Sequence, residues 1–395
     1  MKLSLTVIEQ VLIALGNFLF FILASRYSGS ESFGEFAKIF ISAQIIFAIS
    51  SQWIIVPITS TRIDTTESKL YSSSLTRFFK HVFIVPLIAS IFFFVFSSNV
   101  SFLLFLISTS LITIGLTLFD LLRFYNIRIK KVTEQIKINI SRLLISLTSL
   151  YFLPFFINEL VFIIFMSYFM GLIPALYKQM QLILKMRPSF FIAKNEPIKN
   201  FTEHSKTMIS YGVTSALFTV VTTVIMTKIG TSALGAVQAF RSLVNWVPLA
   251  VQHIETHYSV ELISRNKFNF LNIFWFFIFL SFFTSTLVFF YFFDEFLIFY
   301  IFGSSYIEYN SILTILFTLV MFQSATRILG AQARLKNLQN IFRQQAYILF
   351  FSSILFIILF FGLKIEIDII SLLVLMVLIA FIQGGTMMYM IKKKK

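Results

Sequence analysis

Long apolar stretches separated by short polar connectors run through the whole sequence. A membrane-spanning helix needs about 20 apolar residues, and the sequence has room for about twelve such stretches. The predicted spans are 5–25, 36–59, 79–97, 101–122, 138–157, 160–177, 206–228, 233–257, 270–293, 308–327, 344–363 and 368–391. We therefore predict an all-α integral membrane protein with about twelve transmembrane helices.

Three of these assignments have alternatives. The pairs that meet at 97–101 and at 158–159 could each be one long kinked helix, but full-length apolar runs flank both breaks. The first stretch could be a signal peptide, because Lys2 precedes it. It carries Glu9, Gln10 and Asn17 and leads directly into further spans, which favours a first membrane helix.

Composition agrees with this prediction and limits the chemistry. Hydrophobic residues make up 58% of the 395 residues, and 53 residues are Phe, so no sizeable soluble domain is expected. There are no Cys and only 4 His, which makes a metal site improbable. Phosphate-loop and nucleophile-elbow motifs are absent from the sequence, and the predicted outer loops are short. We therefore expect neither an enzyme nor a cofactor.

The basic residues predict the orientation. With the N-terminus in the cytoplasm, 26 of the 32 Lys and Arg residues lie in inner segments and 4 in outer segments, as the positive-inside rule requires. Both termini are then cytoplasmic. The net charge of +15 could also suggest nucleic acid, but the charges lie between apolar spans and form no dense patch, so no nucleic-acid partner is expected.

The chain divides into two related halves. The longest polar connector, 178–205, lies at the midpoint, which predicts a six-helix N-lobe at 1–200 and a six-helix C-lobe at 201–395. Gly29 and Gly34 follow span 1, and Gly230 and Gly235 follow span 7 at an offset of 201 residues. Since both halves enter the membrane in the same direction, the repeat is related by an axis along the membrane normal.

Four predicted spans, 1, 2, 7 and 8, carry polar faces. Under the repeat, span 1 is equivalent to span 7 and span 2 to span 8. The clearest face is on span 8, where residues three or four apart form one stripe: Gln238, Arg241, Asn245, Pro248, Gln252 and Glu255. Such a stripe lines a hydrophilic cavity or packs as a polar seam against another helix. The cavity interpretation is favoured, because a dry neighbour could not satisfy so many groups. Pro248 should bend this helix, and spans 3, 6, 9, 11 and 12 should face lipid.

Four basic residues are candidates for binding an anion such as a phosphate or pyrophosphate. Arg26 and Lys228 occupy near-equivalent outer ends of spans 1 and 7, and Lys38 and Arg241 near-equivalent parts of spans 2 and 8. Arg241 is the deepest. The alternative for the other three is pairing with Glu31 and Glu35, or extension to the membrane interface.

Acidic residues are candidates for coupling transport to H⁺ or Na⁺. Glu9 and Glu255 lie toward the inner side, as does His253, and a simple pairing with an inner Lys or Arg is the alternative. Asp120 is a third candidate, although a structural ion pair with Arg142 is favoured for it.

Two segments resemble a known family. The first comprises Glu9–Gln10, Asn17–Leu19, Ala24–Gly29 and Phe33–Ala37, and the second is Leu234–Leu243. Both resemble O-antigen and capsular polysaccharide flippases (Wzx-type), which belong to the multidrug/oligosaccharidyl-lipid/polysaccharide exporter (MOP) superfamily. The twelve-span plan in two halves matches over the full chain.

The resemblance implies a MATE-like transporter in the bacterial inner membrane that works by alternating access. It would flip undecaprenyl-pyrophosphate-linked oligosaccharide, an O-antigen or capsule repeat unit, from the cytoplasmic to the periplasmic leaflet. Its partners would be the lipid-linked oligosaccharide, membrane lipids and other polysaccharide-assembly proteins. The basic residues Arg26, Lys38, Lys228 and Arg241 would bind the pyrophosphate. The sugar would be solvated by Gln238, Asn245, Gln252, Asn17 and Gln52.

Two other functions stay open. One is a cation-coupled multidrug exporter of the same superfamily, which a net positive lumen would disfavour. The other is a membrane-embedded polysaccharide polymerase or transferase, which would form product without a second component.

Overall fold

The computed structural model of the protein describes residues 3–55, 67–96, 98–186, 199–245, 247–248, 273–335 and 339–393. Its α-helices are α1 (Leu3–Ile54), α2 (Glu67–His81), α3 (Val85–Val95), α4 (Phe102–Arg128), α5 (Val132–Phe152), α6 (Leu160–Met186), α7 (Lys199–Ile229), α8 (Thr231–Val244), α9 (Ile273–Phe302), α10 (Asn310–Leu335), α11 (Gln339–Ile357) and α12 (Ile369–Lys393). Short 3-10 turns lie at Val82–Ile84, Leu153–Phe155 and Ser304–Tyr309, and a π-turn follows α11 at Ile358–Gly362. No strand occurs in the described residues, so the all-α prediction is confirmed for them.

The first two predicted spans form a single kinked element. Within α1 only Gly29 has a non-helical conformation, with φ 72° and ψ 173°. This left-handed φ strongly favours glycine. The connector is therefore shorter than predicted, because one residue is enough to redirect the chain.

The two tight boundaries separate true helix pairs. Helix α3 ends at Val95, and α4 starts after Ser101, whose side chain accepts a hydrogen bond from the Leu104 N–H at 3.4 Å. Such capping satisfies one of the free N–H groups at a helix start. The other pair, α5 and α6, packs side by side. Each boundary is therefore a turn between two helices.

The eighth predicted span is described only in part. Helix α8 ends at Val244. A proline in a helix clashes with the carbonyl four residues earlier and offers no N–H to it, so Pro248 explains an end at Val244. Residues 246 and 249–257 of this span, among them Gln252, His253 and Glu255, lie outside the described residues.

Ten stretches of the described residues are long and apolar enough to cross a membrane. The first, Ile8–Ser51, is 44 residues long, about twice what one crossing needs, and contains the first two predicted spans. The other nine correspond to the remaining predicted spans except the eighth. This agrees with the predicted plan of about twelve helices.

The chain forms two compact units. The first comprises residues 1–20 and 35–220. In it α6 packs closely against α4 and α5, because glycines lie at the crossings. A Cβ on Gly115 would lie 2.7 Å from the Leu172 Cδ1, and one on Gly171 would lie 2.9 Å from the Ser146 Cβ. Small residues allow this kind of close helix approach inside membranes.

The second unit comprises residues 21–34 and 221–395. Helix α10 is central to it and contacts α8, α9 and α12. An aromatic cluster joins α8 to α9 and the turn after it, with ring centroids of Phe240 and Phe302 5.3 Å apart and those of Phe302 and Tyr306 5.8 Å apart. All three side chains are buried.

The predicted division into peripheral and inner spans is correct for most helices. Few side chains are buried in the most apolar stretches of spans 3, 9, 11 and 12. Span 6 was predicted to face lipid, but 50% of its most apolar stretch is buried. That prediction is wrong, because Gly171 and the buried Leu172 bring α6 into the interior of the first unit.

Helix packing at Gly171 gives a testable prediction. Gly171→Ala should destabilise the protein by about 1–3 kcal/mol, because the new methyl group collides with Ser146 and with the Arg142 carbonyl oxygen. Gly385→Ala is the matched control, since nothing lies within 4 Å of a Cβ there. Thermal unfolding in detergent should show a lower midpoint for the first variant only. Equal midpoints would contradict the packing argument.

Candidate functional site

A buried ion pair is the centre of a polar network in the first unit. Glu9 of α1 is fully buried, and the Arg123 Nε of α4 donates to its Oε1 at 2.8 Å. The Arg123 Nη2 donates to Oε2 at 3.4 Å. The Asn139 Nδ2 of α5 also donates to Oε1, at 3.2 Å. A single carboxylate therefore holds three helices together.

Amide side chains extend this network across the turn between α4 and α5. The Gln135 Nε2 donates to the Asn139 Oδ1 at 3.1 Å, and the Asn126 Nδ2 donates to the Gln135 Oε1 at 3.0 Å. All three amides are buried. Since a buried polar group without a partner is costly, this chain fixes the network in one arrangement.

Glu9 was a candidate for ion coupling, with a pairing to an inner basic residue as the alternative. The alternative is what the structure contains: Arg123 neutralises the carboxylate. We therefore assign Glu9 a structural role in this state. Breaking a buried ion pair leaves an uncompensated charge, so Glu9 is poorly suited to repeated protonation.

Asp120 lies beside this pair but is less constrained. Its Oδ1 is 3.9 Å from the Arg123 Nη1, and its side chain is 24% exposed. Asp120 and Arg142 form no direct ion pair, but the charge of Arg142 still acts on the Asp120 carboxylate, so the interaction favoured from the sequence is present without the close contact. Of the two described acidic candidates, Asp120 is the one that an ion could reach.

A second polar group surrounds Arg142 on the same face of α5 as Asn139. The Arg142 Nη2 donates to the Asn17 Oδ1 at 2.8 Å and to the Tyr168 hydroxyl at 3.1 Å. The guanidinium also lies 4.8 Å from the ring centroid of Phe119, a distance typical of a cation–π contact. The groups that directly contact this arginine are electrically neutral, while the Asp120 carboxylate acts on it electrostatically from beyond ion-pair distance.

These side chains surround a small cavity inside the first unit. Its volume is about 10 Å³, roughly the space needed by one water molecule. Its polar lining consists of Asn17, Asn139, Arg142, Ser146 and Tyr168. A guanidinium, two amides, a hydroxyl and a phenol are groups that bind phosphate oxygens and sugar hydroxyls.

The sequence pattern explains this arrangement. Asn139, Arg142 and Ser146 are three and four residues apart and share one face of α5. Glu9 contacts Asn139, and further along α1 Asn17 contacts Arg142. The later residue on α1 therefore contacts the later residue on α5, so the two helices run in the same direction. This is expected, because spans 1 and 5 are both odd-numbered and cross the membrane in the same direction.

Lys38 was predicted to bind an anion, but the structure places it in a buried ion pair. Its Nζ donates to the Glu35 Oε1 at 2.8 Å, and the lysine is 1% exposed. The other Glu35 oxygen accepts from the Ser98 hydroxyl at 2.9 Å and the Asn99 N–H at 3.2 Å. This is the ion pair that the sequence allowed as the alternative, so we remove Lys38 from the anion-binding set.

Arg26 and Lys228 belong to the second unit and have neutral partners. The Arg26 Nη1 donates to the Tyr300 carbonyl oxygen at 2.5 Å. The Lys228 Nζ lies 4.1 Å from the ring centroid of Phe361. Neither forms an ion pair with a described residue, so their proposed contact with an anion remains a prediction.

Residues on α8 point in different directions. Arg241 is exposed and forms no ion pair with a described residue, whereas Gln238 is buried and Asn245 is half-buried. The predicted stripe is therefore not uniformly accessible along the described part of α8. The side chain of Gln52 lies outside the described part of the chain, as do Gln252 and Glu255.

Sequence reasoning missed several members of the network. Arg123 was placed in a connector, because span 4 was predicted to end at 122, but α4 continues to Arg128. Its position three residues after Asp120 was the available signal, since residues at that spacing share a helix face. Asn126, Gln135 and Tyr168 gave no signal of their own.

Comparison with solved structures identifies the fold. The chain is similar to a MATE-family multidrug resistance transporter of the MOP superfamily in its inward-facing conformation, with a TM-score of 0.65 and 10% identity over 97% of this chain and 95% of that one. It is also similar to the Vibrio cholerae MATE transporter VcmN in the bent form, with a TM-score of 0.55 and 12% identity over 98% and 95% of the two chains.

The molecule is thus a multi-pass helical membrane protein with a MATE-like fold, which confirms the predicted fold class. At 10–12% identity the likeness identifies the fold alone. Comparison with protein-family models gives no match, and comparison with curated proteins gives no significant match.

The buried pair provides a stability test of the network. Glu9→Gln should lower stability by about 3–5 kcal/mol, because Arg123 would remain buried with only the more distant Asp120, at 3.9 Å, as a counter-charge. The control is Glu159→Gln at an exposed position. Unfolding midpoints in detergent would measure the difference. If Glu9→Gln unfolds like the control, the pair does not stabilise the first unit.

Proposed function

We propose that the protein is a transporter that exports a lipid-linked oligosaccharide with a pyrophosphate headgroup by alternating access. The observation that carries this proposal is an arginine in each compact unit that forms no direct ion pair with a described carboxylate. Arg142 lies in the first unit and forms hydrogen bonds with the neutral side chains of Asn17 and Tyr168, and Arg241 is exposed in the second. Arginine binds phosphate through its planar, permanently charged guanidinium.

The surroundings of Arg142 support a sugar-phosphate ligand more than a cationic drug. Its cavity is lined by amides, a hydroxyl and a phenol, with no acidic side chain among the lining residues. A cation would be repelled by the guanidinium, whereas phosphate oxygens and sugar hydroxyls would find donors and acceptors. The cavity is too small for a sugar ring, so binding requires the lining helices to separate during the cycle.

The MATE-like fold supports transport as the activity. Polar side chains buried within membrane-spanning helices are costly and usually mark a substrate or ion pathway. Asp120 is the acid best placed to couple export to H⁺ or Na⁺, because it is partly exposed and only loosely held by Arg123. The proposed location is the bacterial inner membrane, where other polysaccharide-assembly proteins would receive the product.

A cation-coupled multidrug exporter is the second candidate. The observation that favours it is the fold similarity to a multidrug resistance MATE transporter. The two candidates differ in the sign of the charge that the substrate carries.

Deletion of the gene in its native host tests the proposal. Surface polysaccharide should disappear, and complete, unpolymerised undecaprenyl-linked units should accumulate on the cytoplasmic face. The readout is mass analysis of the lipid-linked pool, with a plasmid-borne copy as the control. Unchanged polysaccharide together with raised drug sensitivity would favour the multidrug exporter instead.

The arginine assignment has its own prediction. Arg241→Ala should abolish export while the protein still inserts and folds, because an exposed side chain adds little to packing. Arg241→Lys should be intermediate, since lysine keeps the charge but loses the planar fork. Arg142→Ala should also abolish export.

The matched control is Arg343→Ala. Arg343 is another exposed arginine, and its described hydrogen bond goes to Asn340. Export is measured as polysaccharide restored in the deletion strain, with the amount of protein in the membrane quantified in parallel. Normal export by Arg241→Ala would remove this residue from the site.

A further inference from the structure

Two helix ends meet backbone to backbone within the second compact unit. One is the part of α1 that follows the Gly29 kink, and the other is the start of α8. A Cβ on Gly34 would collide with the Thr231 carbonyl oxygen and lie 2.8 Å from its Cγ2. A Cβ on Gly235 would collide with the Ser30 carbonyl oxygen and lie 2.9 Å from the Gly34 nitrogen. Only glycine fits at either position.

The contact is reciprocal. Gly34 faces Thr231, which is four residues before Gly235, and Gly235 faces Ser30, which is four residues before Gly34. Ser30 and Thr231, like Gly34 and Gly235, are equivalent positions separated by the 201-residue offset of the repeat. A small residue four positions from a glycine is a motif that lets membrane helices approach closely. The two copies of the repeat thus pair through the same motif, as in a self-complementary two-fold contact.

Two hydrogen bonds hold the same segment of α1. The hydroxyl of Tyr306, which is fully buried, donates to the Ser25 carbonyl oxygen at 3.2 Å, and Arg26 donates to the Tyr300 carbonyl oxygen. Carbonyl groups in the last turn of a helix lack partners within that helix, and Ser25 lies in the turn before the Gly29 kink. Tyr306 therefore supplies a partner from outside α1.

The segment 21–34 has an unusual place in the chain. Its contacts assign it to the second unit, but residues 20 and 35 on either side of it belong to the first unit. It is held by close backbone packing and by hydrogen bonds to carbonyl groups. No described ion pair joins it to α8, and the chain has no cysteine to form a disulfide. Such a contact can form and break without leaving a charge buried.

We infer that the reciprocal contact of Ser30 and Gly34 with Thr231 and Gly235 is a latch, closed in this structure, that must open once in each transport cycle. This inference rests on the proposed transport function but not on the identity of the substrate. A closed latch requires that backbones touch, so a single added methyl group on either glycine should hold it open.

Spin labelling can test the latch directly, because the native chain contains no cysteine. Glu31→Cys and Ser304→Cys place nitroxides at two exposed positions, one in the α1 segment and one in the turn after α9. That turn lies against the α1 segment, since Tyr306 donates to the Ser25 carbonyl oxygen and a Cβ on Gly29 would lie 4.0 Å from the Ser305 Oγ. The parent protein should show strong dipolar broadening in its spectrum. Gly34→Ala and Gly235→Ala should each lose that broadening and also lose transport.

Gly230→Ala is the matched control in the same connector. Gly230 has an extended backbone with φ 165°, and a Cβ there has nothing within 4 Å, so broadening and transport should match the parent. Tyr306→Phe is a milder second variant, which keeps the ring but removes the hydrogen bond to Ser25; it should shift the spectrum partway.

The outcomes separate the latch from the proposed function. Unchanged broadening in folded, monodisperse Gly34→Ala and Gly235→Ala protein would overturn the latch. The latch would also be overturned if the control variant Gly230→Ala lost the broadening as fully as Gly34→Ala and Gly235→Ala do. If Gly34→Ala and Gly235→Ala do not fold, the spectrum of Tyr306→Phe decides the question. A Tyr306→Phe spectrum identical to that of the parent protein would overturn the latch. Because this readout needs no substrate, loss of broadening together with normal polysaccharide in a deletion strain would support the latch and reject the flippase proposal.

Discussion

A membrane interior offers no water to a polar side chain, so each such group must find its partner inside the protein. In the first unit this constraint acts most strongly on Glu9. Its carboxylate accepts hydrogen bonds from Arg123 and Asn139, and the amides beyond them continue the chain to the turn between α4 and α5. The positions of α1, α4 and α5 follow from the need to complete this network, and the Arg142 group is placed next to it by the same faces of α1 and α5.

Glycine sets the distances between helices where polar bonding does not. Lipid tails are as apolar as the side chains that face them, so helices gain no hydrophobic free energy by associating. Close van der Waals packing drives their association instead. Gly115 and Gly171 bring α6 against its neighbours, and the reciprocal contact of Gly34 and Gly235 brings two backbones together. The first two contacts stabilise a unit, while the third joins parts of the chain that lie about 200 residues apart.

Most of the fold was predictable from the sequence because the apolar runs are long and the basic residues lie between them. The repeat was predicted from the spacing of Gly29 and Gly34 relative to Gly230 and Gly235. The partners of individual charged side chains were harder to predict from the sequence. Lys38 pairs with Glu35 three residues away, a spacing that the sequence displays, but Arg123 pairs with a residue 114 positions distant. Contacts across that separation depend on tertiary packing, which hydropathy does not encode.

The distance in sequence between Glu9 and Arg123 also bears on how the protein is made. Helix α1 leaves the ribosome before α4, carrying an acid whose counter-charge has not yet been synthesised. Until α4 and α5 follow, placing that carboxylate in the apolar layer is costly. The inner end of α1 must therefore settle late, after more than a quarter of the chain has entered the membrane. Helix α1 therefore reaches its final depth only after two helices that are translated later have joined it.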